Sequence, residues 1–162
     1  MTIIEMEQII QRIQTWINEE QGWKFEVSQN NEAFVNLVVH PNEFQNLNVI
    51  FDTTQPHKVI IRTTSNFDED DKRSYFVLNE DEKKEFLLDI EILLIQINLI
   101  YTILPEPPKK IDSIELTRQI YFDAITRDKF FDAILAILRG VQVVRLNYNS
   151  LRSTDTSLTS MQ

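Results

Sequence analysis

"WKFEVSQNNEAFVNLVVHP", Trp23 to Pro41, switches the chain from a helical period to a period of two, and its reading decides the fold class. Trp23, Phe25 and Val27 fall on one face of an extended segment, the Asn30-Asn31 pair offers a hairpin turn, and "EAFVNLVVHP" follows as a second strand ending at Pro41. Two more alternating runs come next, "LNVIFDT" and "HKVIIRTTS", separated by the short Thr54-Gln55-Pro56 turn. The expectation is a meander of about four antiparallel strands.

Upstream of this meander, Thr2 with Glu5 three residues later reads as a capping box. Ile3, Ile4, Met6, Ile9, Ile10, Ile13, Trp16 and Ile17 then recur at helical spacing until Gly22 supplies a C-terminal cap. Downstream, "NFDEDDKRS" reads as an acidic loop, after which Asn79 and Glu82 mark the start of a second helix. That helix has only a narrow polar stripe of Glu85, Asp89 and Gln96, which predicts burial over most of its circumference. "INLIYTIL" and "SIELTRQIYF" read as strands on either side of the stiff connector "PEPPKK". From Thr126 a last helix is expected to run to about Asn149. The order α-β-β-β-β-α-β-β-α predicts an α+β fold, an antiparallel sheet with helices, formed as one domain over residues 1–150. Residues 151–162, Ser/Thr-rich and without periodicity, are expected as a disordered tail.

Composition removes whole classes of chemistry. The absence of cysteine excludes disulfides, thiolate metal sites and cysteine nucleophiles, and suits a cytoplasmic location. Two glycines cannot build a GxGxxG loop or a P-loop. The net charge of -9 is uneven: residues 1–104 hold 8 Lys/Arg against 18 Asp/Glu, and residues 105–162 hold 8 against 7. An acidic body without a basic stripe disfavours nucleic acid and suits basic or apolar protein partners. "FLLDIEILLIQINLIYTIL", Phe86 to Leu104, has the length of a membrane span but is interrupted by Asp89, Glu91, Gln96 and Asn98, so a buried helix is expected there and no membrane contact. The N-terminus shows no export signal.

Candidate sites are few. Asp123, Asp128 and Asp132 lie in "YFDAITRDKFFDAI", Tyr121 to Ile134, where a strand end meets a helix capped by Thr126 with an acidic first turn. Convergence of these carboxylates with a histidine would define a small-ligand or metal-dependent enzyme, the alternative reading. "DEDD" at 68–71 lacks the glycine and the final glutamate that a calcium loop of the EF-hand type requires. His40 and His57 each adjoin a proline at a strand edge and read as turn residues, while Trp16 and Trp23 read as anchors of the first helix-to-strand corner. No catalytic constellation and no cofactor site are expected. The last helix carries more apolar surface than one core face requires. Phe131, Leu135 and Leu138, with Arg139, are the expected interaction surface, for a protein partner or for self-association as a homodimer.

Two segments, "QTWINEEQGWKFEV" (Gln14 to Val27) and "IYFDAITRDKFFDAI" (Ile120 to Ile134), resemble an uncharacterised archaeal family, domain of unknown function 2299. In that family a late strand enters a Leu-Thr-Lys-Asp helix start, where Ile125-Thr126-Arg127-Asp128 stands here, and Ala124 occupies a position commonly glycine. The element order also resembles type III secretion chaperones. That resemblance implies a non-enzymatic, intracellular protein-binding or chaperone-like module without catalytic residues.

Overall fold

The computed structural model describes residues 3–31, 34–43, 45–52, 54–55, 57–105 and 111–159. Its elements are α1 (Ile3–Glu19), β1 (Lys24–Asn31), β2 (Phe34–Asn42), β3 (Gln45–Asp52), β4 (Lys58–Asn66), α2 (Glu69–Phe76), α3 (Glu80–Gln96), β5 (Ile100–Leu104), β6 (Ser113–Tyr121), a single 3-10 turn at Phe122–Ala124, and α4 (Arg127–Thr159). The strands form a six-stranded antiparallel sheet in the order β1-β2-β3-β4-β6-β5, and the α+β class follows directly. The chain packs as two compact units, Met1–Thr63 with Thr117–Leu135 and Thr64–Leu116 with Ala136–Gln162.

In the first unit α1 buries Met6, Ile10, Ile13 and Ile17, the three- and four-residue spacing that places them on one face. The predicted cap at Thr2 lies outside the described residues. Gly22 ends the corner at φ 84°, in the left-handed region where a β-carbon is strained. Trp16 packs against Phe130 with ring centroids 6.0 Å apart, and Trp23 meets Phe131 edge-on at 5.4 Å, so both tryptophans anchor the first corner. Arg127 closes the same corner with ion pairs to Glu19 at 2.9 Å and Glu20 at 2.8 Å.

The meander has the expected alternation. The row Val27, Leu37, Val49, Ile61 crosses four strands, and Leu37, Val49 and Ile61 are fully buried. The neighbouring row Glu26, Val38, Asn48, Arg62 points to the other face. The hairpin turn differs from its expected place: β1 runs through Asn31, which pairs with Phe34, so Asn30 and Asn31 belong to the strand. Between β3 and β4, Thr54 donates its backbone N–H and its hydroxyl to Asp52 Oδ1 at 2.7 and 2.6 Å, an Asx turn, while Pro56 lies outside the described residues.

The second unit corrects three expectations. The segment read as an acidic loop is helix α2, because Asp68 accepts hydrogen bonds from the backbone N–H groups of Asp70 and Asp71 while its own N–H donates to Asp71 Oδ2. An aspartate at both ends of the capping box disguised it. The strand expected from Ile97 starts at Ile100. Before it, α3 ends with Asn98 at φ 57° and Leu99 N–H donating to the Leu94 carbonyl. Most of "PEPPKK" lies outside the described residues. The last helix passes Asn149 and continues to Thr159, through the segment expected as a tail. Its continuation has a cause in Arg152, whose guanidinium donates to both Asp68 oxygens at 2.6 Å and to Asp71 Oδ1 at 2.8 Å.

An aromatic cluster fills the core of this unit: Tyr148 stacks on Phe67 at 4.0 Å and meets Phe86 edge-on at 4.9 Å. Gly140 is buried where a β-carbon would overlap Leu99 Cδ1 and stand 3.0 Å from Leu116 Cδ1. The lone glycine of α4 therefore serves close packing.

Candidate protein-docking face

The aspartates of the stretch Tyr121 to Ile134 do not form a chemical group. Asp123 sits in the 3-10 turn and Asp128 and Asp132 on the first turns of α4, all three exposed. Thr126 caps the helix by accepting from the Lys129 N–H at 3.3 Å. Among the described residues no three acidic or histidine side chains gather closely enough to hold a metal ion. His57 lies against the Tyr121 ring with centroids 5.9 Å apart, and His40 Nδ1 is 2.8 Å from Asn46 Oδ1. Phe122 stacks on Phe51 in the core, whereas Phe131 is half-buried beside Trp23.

The "DEDD" carboxylates serve the start of α2. Asp68 is held below the usual carboxylate range by the backbone N–H of Asp71 and then by Arg152. A cavity of about 290 Å³ lies beside this clasp, lined by Ser65, Asp71, Arg145, Tyr148 and Asn149 among others. The Tyr148 hydroxyl is buried without a hydrogen-bond partner among the described residues, and burial pushes its ionisation far upward.

The expected interaction surface on α4 is only partly available. Phe131 is engaged by Trp23 and by the Arg127 guanidinium 5.7 Å from its centroid, Leu138 is half-buried, and Leu135 and Arg139 are exposed.

A larger apolar surface stands on α3. This helix buries Phe86, Leu87, Ile90 and Leu94 on one side. On the opposite side Leu88, Ile92 and Ile95 remain 54%, 44% and 63% exposed. Their spacing of four and three residues makes them a continuous stripe along the solvent pole, with Leu93 at the margin of the buried side. The expectation that α3 is buried over most of its circumference is therefore corrected. At 100° per residue, Glu85 and Asp89 border the stripe on one side and Glu91 on the other. Glu85 and Asp89 have no ion-pair partner among the described residues. The ionisation of Tyr101 on β5 is raised by burial and then by the Glu91 carboxylate beside it. Lys84 is 3.5 Å from Asp81, and Lys83 is buried, 3.3 Å from Glu80 and above the Tyr75 and Phe76 rings. The rim of the stripe is thus acidic. β5 is an edge strand of the sheet, and Ile100 and Leu104 on it are exposed. Sequence reading missed the stripe although its signal was present, since the same apolar positions that suggested burial also lie on both sides of the helix.

These elements define a small α+β protein with a six-stranded antiparallel sheet and a surface helix that is apolar on two sides. The chain belongs to the family described as an uncharacterized conserved protein (DUF2299), whose model matches residues 9–146. It is also similar in structure to an uncharacterized protein from Methanothermobacter thermautotrophicus known from a crystal structure. That similarity has a TM-score of 0.77 at 17% identity, covering 90% of this chain and 99% of the other. The likeness concerns the fold. No curated protein matches the chain. Among the described residues no helix is long and apolar enough to cross a membrane.

Proposed function

We propose that this chain is a non-enzymatic, chaperone-like protein-binding module of the cell interior that engages its partner through the solvent pole of α3. The observation that carries this reading is a helix with apolar side chains on two sides, of which Leu88, Ile92 and Ile95 on one side remain exposed. A helix of that composition belongs in a core. Leu88, Ile92 and Ile95 together leave roughly one and a half side chains' worth of aliphatic surface in water, so their burial by a partner contributes roughly 2 to 5 kcal/mol. The acidic rim adds selectivity, because charges bordering an apolar patch set partner choice more than affinity. The element order, which resembles that of type III secretion chaperones, supports the same reading. The exposed, dispersed aspartates give the rival enzyme reading no comparable support.

A photo-crosslinking side chain placed at position 92 in native cells tests this, with positions 135 and 26 as comparisons. The expected result is one recurrent protein crosslinked from 92 that rebinds the purified chain and is absent from 26. Recurrent crosslinks from 135 alone would move the surface to α4. A purified chain that takes no protein from either position would remove the protein-binding reading.

A further inference from the structure

Resting on that reading, we infer that the α3 face takes a short amphipathic helix of another protein, apolar along one stripe and flanked there by lysine or arginine, and not a second copy of this chain. The spacing selects a helix. Leu88, Ile92 and Ile95 form a ridge that spans about 10 Å, two helical turns, and such a ridge fits the groove of a partner whose anchors repeat at three and four residues.

Size argues against self-association. A stable interface covers about 800 Å² on each partner, and three partly exposed aliphatic side chains supply only a small part of that. A short segment needs less. Charge argues the same way. Two copies meeting at this stripe would bring Glu85, Asp89 and Glu91 of each against those of the other, in a chain that already carries -9. Nearby lysines do not relieve this, since Lys84 is drawn to Asp81 and Lys83 is buried beside Glu80. A partner with basic flanks meets Glu85 and Asp89, which have no ion-pair partner among the described residues.

The test measures fluorescence anisotropy of labelled helix-forming peptides of about 14 residues with the full chain. One peptide carries an aliphatic stripe with lysine flanks, a second the same stripe with glutamate flanks, and a third lysine flanks with the stripe replaced by serine and glutamine. The first is expected to bind at least about tenfold more tightly than either other, and to weaken severalfold between about 50 and about 300 mM salt. Glu85→Gln with Asp89→Gln should weaken it about threefold to tenfold, and Ile92→Glu should abolish it, with circular dichroism confirming that each variant is folded.

Equal affinity for the first two peptides would overturn the partner chemistry while leaving the protein-binding reading in place. Equal affinity for the first and third would show charge alone at work and also overturn the inference. If no peptide binds while crosslinks from position 92 persist, the helical-segment inference fails alone; if the crosslinks fail too, both readings fall. Sedimentation showing a dimer that Ile92→Glu dissolves would assign the face to a second copy and overturn it as well.

Discussion

The two sides of α3 make a quantitative prediction. Leu94 is fully buried and Ile95, its neighbour in sequence, is 63% exposed. Complete burial of such a side chain contributes about 1.5 to 3 kcal/mol, so the part of Ile95 that is covered accounts for about 1 kcal/mol at most. Glutamine restores a few tenths of a kcal/mol through its better helix propensity. Ile95→Gln, and Ile92→Gln likewise, should therefore shift unfolding by no more than about 1 kcal/mol. Leu94→Ala removes buried methyl groups and leaves a cavity, which costs about 2 to 5 kcal/mol. Urea unfolding followed by far-ultraviolet circular dichroism reads both, provided the denaturant slope stays constant across the variants. If Ile92→Gln and Ile95→Gln each cost more than about 2 kcal/mol, the stripe is packed within the folded chain, and both the surface and the function built on it are refuted.

Three further outcomes follow from local geometry. Gly22→Ala, at φ 84°, should destabilise by about 1 to 2 kcal/mol in the same unfolding assay although nothing crowds its β-carbon, because the cost is conformational. Gly140→Val should cost about 1 to 3 kcal/mol by overlap with Leu99 and Leu116, despite leaving the helix pattern of α4 intact; a neutral result would show that those leucines move aside freely. The third concerns pH. The carboxyl group of Asp68 has a lowered folded-state value, so its stabilising effect is complete above the ordinary carboxylate range and disappears as pH falls through the lowered value. The melting temperature of the native chain should exceed that of Asp68→Asn at pH 7, and the gap should close as pH falls through the lowered carboxyl value. A gap independent of pH would contradict the assignment.

How much was legible can be argued element by element. α1, the meander, β6 and the start of α4 announce themselves through local periods and caps, and Thr126 performs the capping role its position suggests. α2 was hidden because "EDDKRSYF" is almost wholly polar, and its cap is recognisable only once Asp68 and Asp71 are seen bonding each other's backbone. The hairpin turn was misplaced because an Asn-Asn pair signals a turn by composition, whereas the register of β1 against β2 is set by rows such as Val27 to Ile61. The end of α4 was beyond sequence reading because Arg152 finds its partners 81 and 84 residues away. The candidate surface suffered the most instructive error. Apolarity on two sides of a helix suggests a place in a core, but here Leu88, Ile92 and Ile95 stay exposed on one of them.

The clasp of Arg152 on Asp68 and Asp71 ties α4 to the start of α2. A polypeptide released or cleaved after Ser150 would still contain every residue of α2, yet the two carboxylates at that helix's start would face each other with their shared cation gone. Full stability of α2 therefore depends on a side chain 81 and 84 residues further along the chain.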